Sequence, residues 1–129
     1  MKTPYPVTAL IELGAGLALL CCPSATVMLL VGSPLETSAA VTLGRVAGAA
    51  LSSLGVACWL ARDDTQSRAA RGLVVAMLIY NIAATAVLAF AGIGLGLHGV
   101  ALWPAVVLHA AMGVWCGACL RRSPQKVTD

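Results

Sequence analysis

The sequence predicts an all-α fold: an integral membrane, up-down bundle of four transmembrane helices, forming a single transmembrane domain over residues 1–129. Three observations predict it. Hydrophobic residues make up 60% of the chain and charged residues 10%, with a mean hydropathy of +0.92. A soluble domain carries about 25% charge, so this chain cannot cover itself in polar groups and must turn an apolar outside toward lipid. Four apolar stretches also reach the ~20 residues that a helix needs to cross a bilayer. Finally, Leu, Ala and Val dominate them without the period-2 alternation of barrel strands, which leaves helices as the way to satisfy the backbone in hydrocarbon.

The first stretch runs from about Pro6 to Val31, PVTALIELGAGLALLCCPSATVMLLV. It resembles a secretory signal, but Glu12 interrupts it and it exceeds a signal's ~7–15-residue apolar core. Leu20 ahead of Cys21 also lacks the small residue that a lipoprotein cleavage site prefers, so retention as the first span is expected. The second stretch runs from about Ser38 to Ala61 and the third from about Arg71 to Gly94, with Asp63, Asp64 or Ser67 available to cap the third. The fourth covers about Val100 to Leu120. The connections SPLET, RDDTQSRAA and LGLHG are short, which makes sequence neighbours antiparallel.

Basic residues set the expected orientation. Lys2, Arg62, Arg68, Arg71, Arg121, Arg122 and Lys126 all fall on one side of such a bundle, and the first and third loops carry no Lys or Arg. Both termini and the middle loop are therefore expected in the cytoplasm. Trp59 and Trp115 near the inner ends of spans two and four, and Trp103 near the outer end of span four, occupy interfacial belt positions. The net charge of +3 comes from these orienting residues rather than from a basic groove, and nucleic-acid binding is not expected.

The motifs need their setting before they mean anything. Cys116-x-x-Cys119 has the spacing of a dithiol redox site, but it closes a helix, where the dipole disfavours a thiolate, and its expected side is the reducing cytoplasm. Arg121 and Arg122 offer some thiolate stabilisation, so a membrane thiol–disulfide oxidoreductase stays open as a reading. Cys21 and Cys22 diverge by about 100° on a helix, which strains a disulfide; they are soft-metal candidates together with Cys116 and Cys119, and Pro23 can open the backbone beside them. Gly94-x-Gly96-x-x-Gly99 matches a dinucleotide fingerprint in letters only, since it leaves a membrane span instead of joining a strand to a helix. No cofactor and no catalytic set are expected. Small residues at four-residue spacing, Ala40, Gly44, Gly48 and Ser52 in span two and Gly113 and Gly117 in span four, serve either packing inside the bundle or a homodimer contact.

Intramembrane polar residues are the most informative, because ionisable and amide groups are costly in hydrocarbon. Along the helices Glu12 falls roughly 9 Å above the inner boundary, Asn81 and His109 near 15–16 Å, and Arg45 near 24 Å. Glu12 lies between Thr8 and Gly16; Asn81 shares a stripe with Met77 and Thr85, beside Tyr80; His109 shares one with Met112, Gly113 and Cys116. A polar seam from Glu12 through Tyr80, Asn81 and His109 toward Arg45 is allowed, serving either as interhelical glue or as a ligand or ion site.

Two resemblances attach to these residues. LALLCCPSATVMLLVG resembles the vicinal-cysteine span of small mercuric-ion uptake membrane proteins, over about one span. GRVAGAAL, LGVACWLAR, AMLIYN and LWPAVVLHAAMGVWC resemble a group of small, uncharacterised four-helix bacterial inner-membrane proteins, over most of the chain from Gly44 onward. The second resemblance implies a fold and a bacterial inner-membrane location, but no activity. GVACWLAR and GVWCGACLRR also echo each other. The expected function is that of a non-enzymatic bundle acting as an accessory or small-ligand-binding protein, with a small hydrophobic ligand and a second copy of the chain as candidate partners in the bilayer. The rival readings are transport of a soft metal or small solute, and thiol oxidation.

Overall fold

The computed structural model describes residues 4–64 and 67–122, so Lys2 and Lys126 lie outside the described residues. It contains five helices: α1 (Tyr5–Cys21), α2 (Pro23–Val31), α3 (Ser38–Leu60), α4 (Arg68–Ile93) and α5 (Leu102–Arg122). No strand occurs among the described residues. α3, α4 and α5, with 23, 26 and 21 residues, are apolar and long enough to cross a membrane. At 1.5 Å per residue they span about 30–40 Å, against ~30 Å of hydrocarbon.

The stretch expected as the first straight span is instead a bent pair. α1 and α2 meet at 119° across Cys22. Pro23 has no N–H to continue the ladder, and its ring drives the preceding residue out of the helical region. Cys22 accordingly sits at φ −133°, ψ 61°. The break leaves few loose ends: the Cys22 N–H donates to the Ala18 carbonyl, and the Cys22 carbonyl accepts from both the backbone and the hydroxyl of Thr26. α2 then stops at Gly32, whose φ of +80° is a left-handed cap that a residue with a Cβ resists.

The remaining helix ends follow local chemistry. Thr37 caps α3 by accepting from the Ala40 N–H, and Ser67 caps α4 by accepting from the Ala70 N–H. Of the three residues expected to cap α4, Ser67 does so, and Asp64 supports it by accepting from the Ser67 backbone N–H and hydroxyl. Ser67 thus starts the helix at Arg68, a turn ahead of the expected Arg71.

Helices pack as two antiparallel pairs, α1 on α3 and α4 on α5. The first pair crosses at glycines. A Cβ on Gly48 would lie 2.7 Å from the Gly16 carbonyl oxygen and 2.8 Å from the Leu20 nitrogen; one on Gly55 would lie 2.9 Å from the Leu13 nitrogen. Gly44 is likewise covered, by Pro23 and Leu35. The small-residue stripe of this helix therefore serves packing within the chain. In α5, Gly113 is buried with a Cβ position 3.6 Å from that of Asn81, while Gly117 has open space beside it.

The two pairs join at both ends. At one end Tyr5, Ala9, Cys58, Ala70, Val74, Met77 and Cys116 form a buried cluster, and the Tyr5 hydroxyl donates to the Ala70 carbonyl at 2.6 Å. Arg62, Arg68, Arg71, Arg121 and Arg122 cluster near this end, with the Arg62 guanidinium 4.8 Å from the Trp59 ring centre. At the other end α2 reaches the α4–α5 loop: the Ala101 N–H donates to the Leu29 carbonyl, and Gly99 lies directly against the Leu30 backbone. Outward faces are mostly apolar, with Leu10, Leu43, Ile79, Val87, Val107 and Val114 all exposed.

The glycine crossing yields a paired test. Gly48→Leu is expected to destabilise the protein by about 3 kcal/mol, because backbone on both sides blocks the new side chain. Gly14→Ala, at a position with nothing within 4 Å, should stay within about 1 kcal/mol of the parent. Denaturant unfolding in mixed micelles compares the two; equal effects would contradict the crossing.

Candidate functional site

Each polar side chain expected in the seam is aimed by its helix. The buried stripe of α1 is Tyr5, Thr8, Ala9, Glu12 and Gly16, the three-and-four spacing of one helical face, so Glu12 turns into the protein and is only 3% exposed. In α4 the stripe Ala70, Val74, Met77 and Asn81 faces inward, and Asn81 is 2% exposed. In α5, His109 lies one turn before buried Met112 and Gly113 and is half-buried.

These residues make a connected layer across three helices. The Tyr80 hydroxyl and the Glu12 carboxyl group interact, linking α4 to α1. The Tyr80 ring meets the His109 ring edge-on, with centres 5.5 Å apart and planes at 86°. Asn81 Nδ2 donates to the Met77 carbonyl at 2.8 Å, and Asn81 Oδ1 lies 2.9 Å from His109 Nδ1. A carbonyl-type oxygen only accepts, so His109 carries a proton on Nδ1 and donates it to Asn81. In the neutral ring this leaves Nε2 with a lone pair. Glu12 has no ion-pair partner among the described residues. A carboxyl group this deeply buried without a cation beside it is costly.

Arg45 does not join the layer. It is exposed on α3 and makes no hydrogen bond or ion pair among the described residues. The α1–α3 crossing occupies the inner face of α3 with Gly48 and Gly55, and Arg45 points off that face.

The thiols are divided. Cys21 and Cys22 are exposed at the α1–α2 break, whereas Cys116 is fully buried in the cluster at the Tyr5 end, with Cys119 packed against that cluster. The length of α1 separates the two pairs, about 25 Å at 17 residues. No group of three or more His, Cys, Asp or Glu residues able to hold a metal occurs among the described residues. Sequence reasoning missed Cys58, which is fully buried in the same cluster as Cys116. The echo between GVACW and GVWCG was its signal, since it pairs Gly55 with Gly113 and Cys58 with Cys116. Tyr5 was also missed as an inward-facing group, although it lies on the same stripe as Thr8 and Glu12.

No protein family, curated protein or solved structure matches the chain.

Two measurements check this arrangement. A membrane-permeant maleimide should modify Cys21 and Cys22 in the folded protein, and Cys58 and Cys116 only after denaturation, as read by peptide mass spectrometry; equal rates would contradict the buried thiol cluster. His109→Leu should cost about 1–3 kcal/mol by leaving Asn81 Oδ1 unpaired. Combined with Asn81→Leu in a double-mutant cycle, it should give a coupling of about 0.6–1.7 kcal/mol. Strictly additive losses would show that the bond contributes nothing.

Proposed function

We propose that this chain is a non-enzymatic accessory bundle of the bacterial inner membrane, built around a proton-exchanging polar layer of Glu12, Tyr80, His109 and Asn81. The observation that carries this reading is Glu12: 3% exposed, within a span, beside Tyr80, and without a cationic partner among the described residues. A purely adhesive role asks only for a neutral amide or hydroxyl, which helices use at lower cost. Glu12 and His109 are the groups in the layer able to take up and release a proton, and Tyr80 touches both.

In this reading α1 is the fourth and shortest crossing. Its 17 residues sit at the lower end of the ~17–25 that span a bilayer, and α2 lies folded over the outer end. The five arginines at the ends of α3, α4 and α5 orient the middle loop and both termini toward the cytoplasm. Soft-metal transport finds less support, since the two thiol pairs stand at opposite ends of α1. Thiol oxidation finds less as well, since Cys116 is fully buried.

Proteoliposomes holding a pH-sensitive dye test the proposal. Vesicles with the parent protein should acidify faster than protein-free vesicles after an acid jump, and Glu12→Gln and Tyr80→Phe should return the rate to the protein-free value. Parent and Glu12→Gln vesicles that acidify alike would remove the role assigned to this layer.

A further inference from the structure

Four hydroxyl-bearing side chains inside the helices share one way of being satisfied, which Thr8 does not use. Thr26, Thr42, Ser53 and Thr85 each donate to the carbonyl four residues earlier, the usual way for such a hydroxyl to be satisfied inside a helix. The same carbonyl is in reach of Thr8, since Pro4 accepts from the Thr8 backbone N–H at 2.9 Å. The Thr8 hydroxyl does not use it. Thr8 is 2% exposed, and its Oγ1 has no hydrogen-bond partner among the described residues. It stands one turn from Glu12 on the same face of α1, where residues four apart are neighbours. A second buried hydroxyl without a partner, Ser52 Oγ, lies against Gly16, one turn beyond Glu12 on that face.

From this we infer that Thr8, Glu12 and Tyr80 form a binding site for one alkali cation. The inference rests on the reading of Glu12 as an exchangeable group and names what it exchanges with. A proton on Glu12 answers the carboxylate alone and leaves the Thr8 hydroxyl unsatisfied. A cation between them is coordinated by both, and the Tyr80 hydroxyl oxygen beside Glu12 has a lone pair to offer it. One carboxylate supplies one negative charge, which suits a monovalent ion and leaves a divalent one uncompensated. The donors are all oxygens, hard ligands that favour an alkali ion over a soft metal. Asn81 is committed to Met77 and His109 and stays outside the coordination.

Thr8→Val is the decisive substitution, because it keeps the shape and removes only the unpaired hydroxyl. In alkali-free choline buffer it should unfold at the same temperature as the parent or higher, since no hydrogen bond is lost. Binding of radioactive sodium to the full chain in nanodiscs, with potassium as competitor, then reads the site. The parent should bind one sodium per chain, Thr8→Val about tenfold more weakly, and Glu12→Gln not at all. The potassium arm tells which alkali ion the site prefers. Sodium binding equal in parent and Glu12→Gln, or unaffected by Thr8→Val, would overturn the inference. Acidification that still depends on Glu12 in that case would leave the proton-exchanging layer standing without the cation site.

Discussion

The crossing of α1 over α3 brings backbone against backbone at Gly16, Gly48 and Gly55, and the placement of the polar layer depends on it. Lipid offers no hydrophobic drive for helices to associate, so close approach and the dispersion contacts it allows have to hold them together. α1 needs this most, having only 17 residues before Pro23 ends it. Held flat on α3, its stripe of Tyr5, Thr8, Glu12 and Gly16 turns toward the interior of the protein. A wider crossing would give α1 room to rotate, and rotation is what would expose Glu12.

The second pair is held differently. α4 and α5 meet at the Asn81–His109 hydrogen bond, beside buried Gly113. The pairs are then joined by few but specific links: Tyr5 to the Ala70 carbonyl at one end, Glu12 to Tyr80 in the middle, and α2 against the α4–α5 loop at the other end. Such a seam suits an exchangeable site. Within each pair the packing is close and hard to deform, whereas between pairs polar bonds can form and break with less disturbance to the core. Tyr80 occupies the pivotal place, its hydroxyl on Glu12 and its ring against His109.

Much of the candidate site was legible because membrane helices restrict where polar groups can go. Glu12, Asn81 and His109 stood out as costly residues, and helical spacing together with depth put Asn81 beside His109. Arg45 met the same criteria and lies elsewhere, because depth and polarity say nothing about which face of α3 the glycines claim. The unpaired hydroxyl of Thr8 was invisible in the sequence, where Thr in a helix reads as satisfied by its own backbone. Cys58 was hidden for a related reason: a small apolar thiol in an apolar helix carries no local sign of burial.

The sequence by itself determined the helical class, the apolar exterior, the positions of α3, α4 and α5 to within a few residues, and the identity of the polar groups that the membrane interior must accommodate. These follow from composition, span length and the price of an unpaired charge in hydrocarbon, all local quantities. Tertiary structure alone decided that Pro23 turns the chain through 119° and does not merely kink it, because that angle is set by where α2 finds the α4–α5 loop. It alone decided that Gly48 meets Gly16 within the chain, that Glu12 meets Tyr80, and that Arg45 meets no described partner. A helical pattern gives the direction of a side chain around its own axis; its partner depends on the rotation and offset of a second helix, which only packing selects.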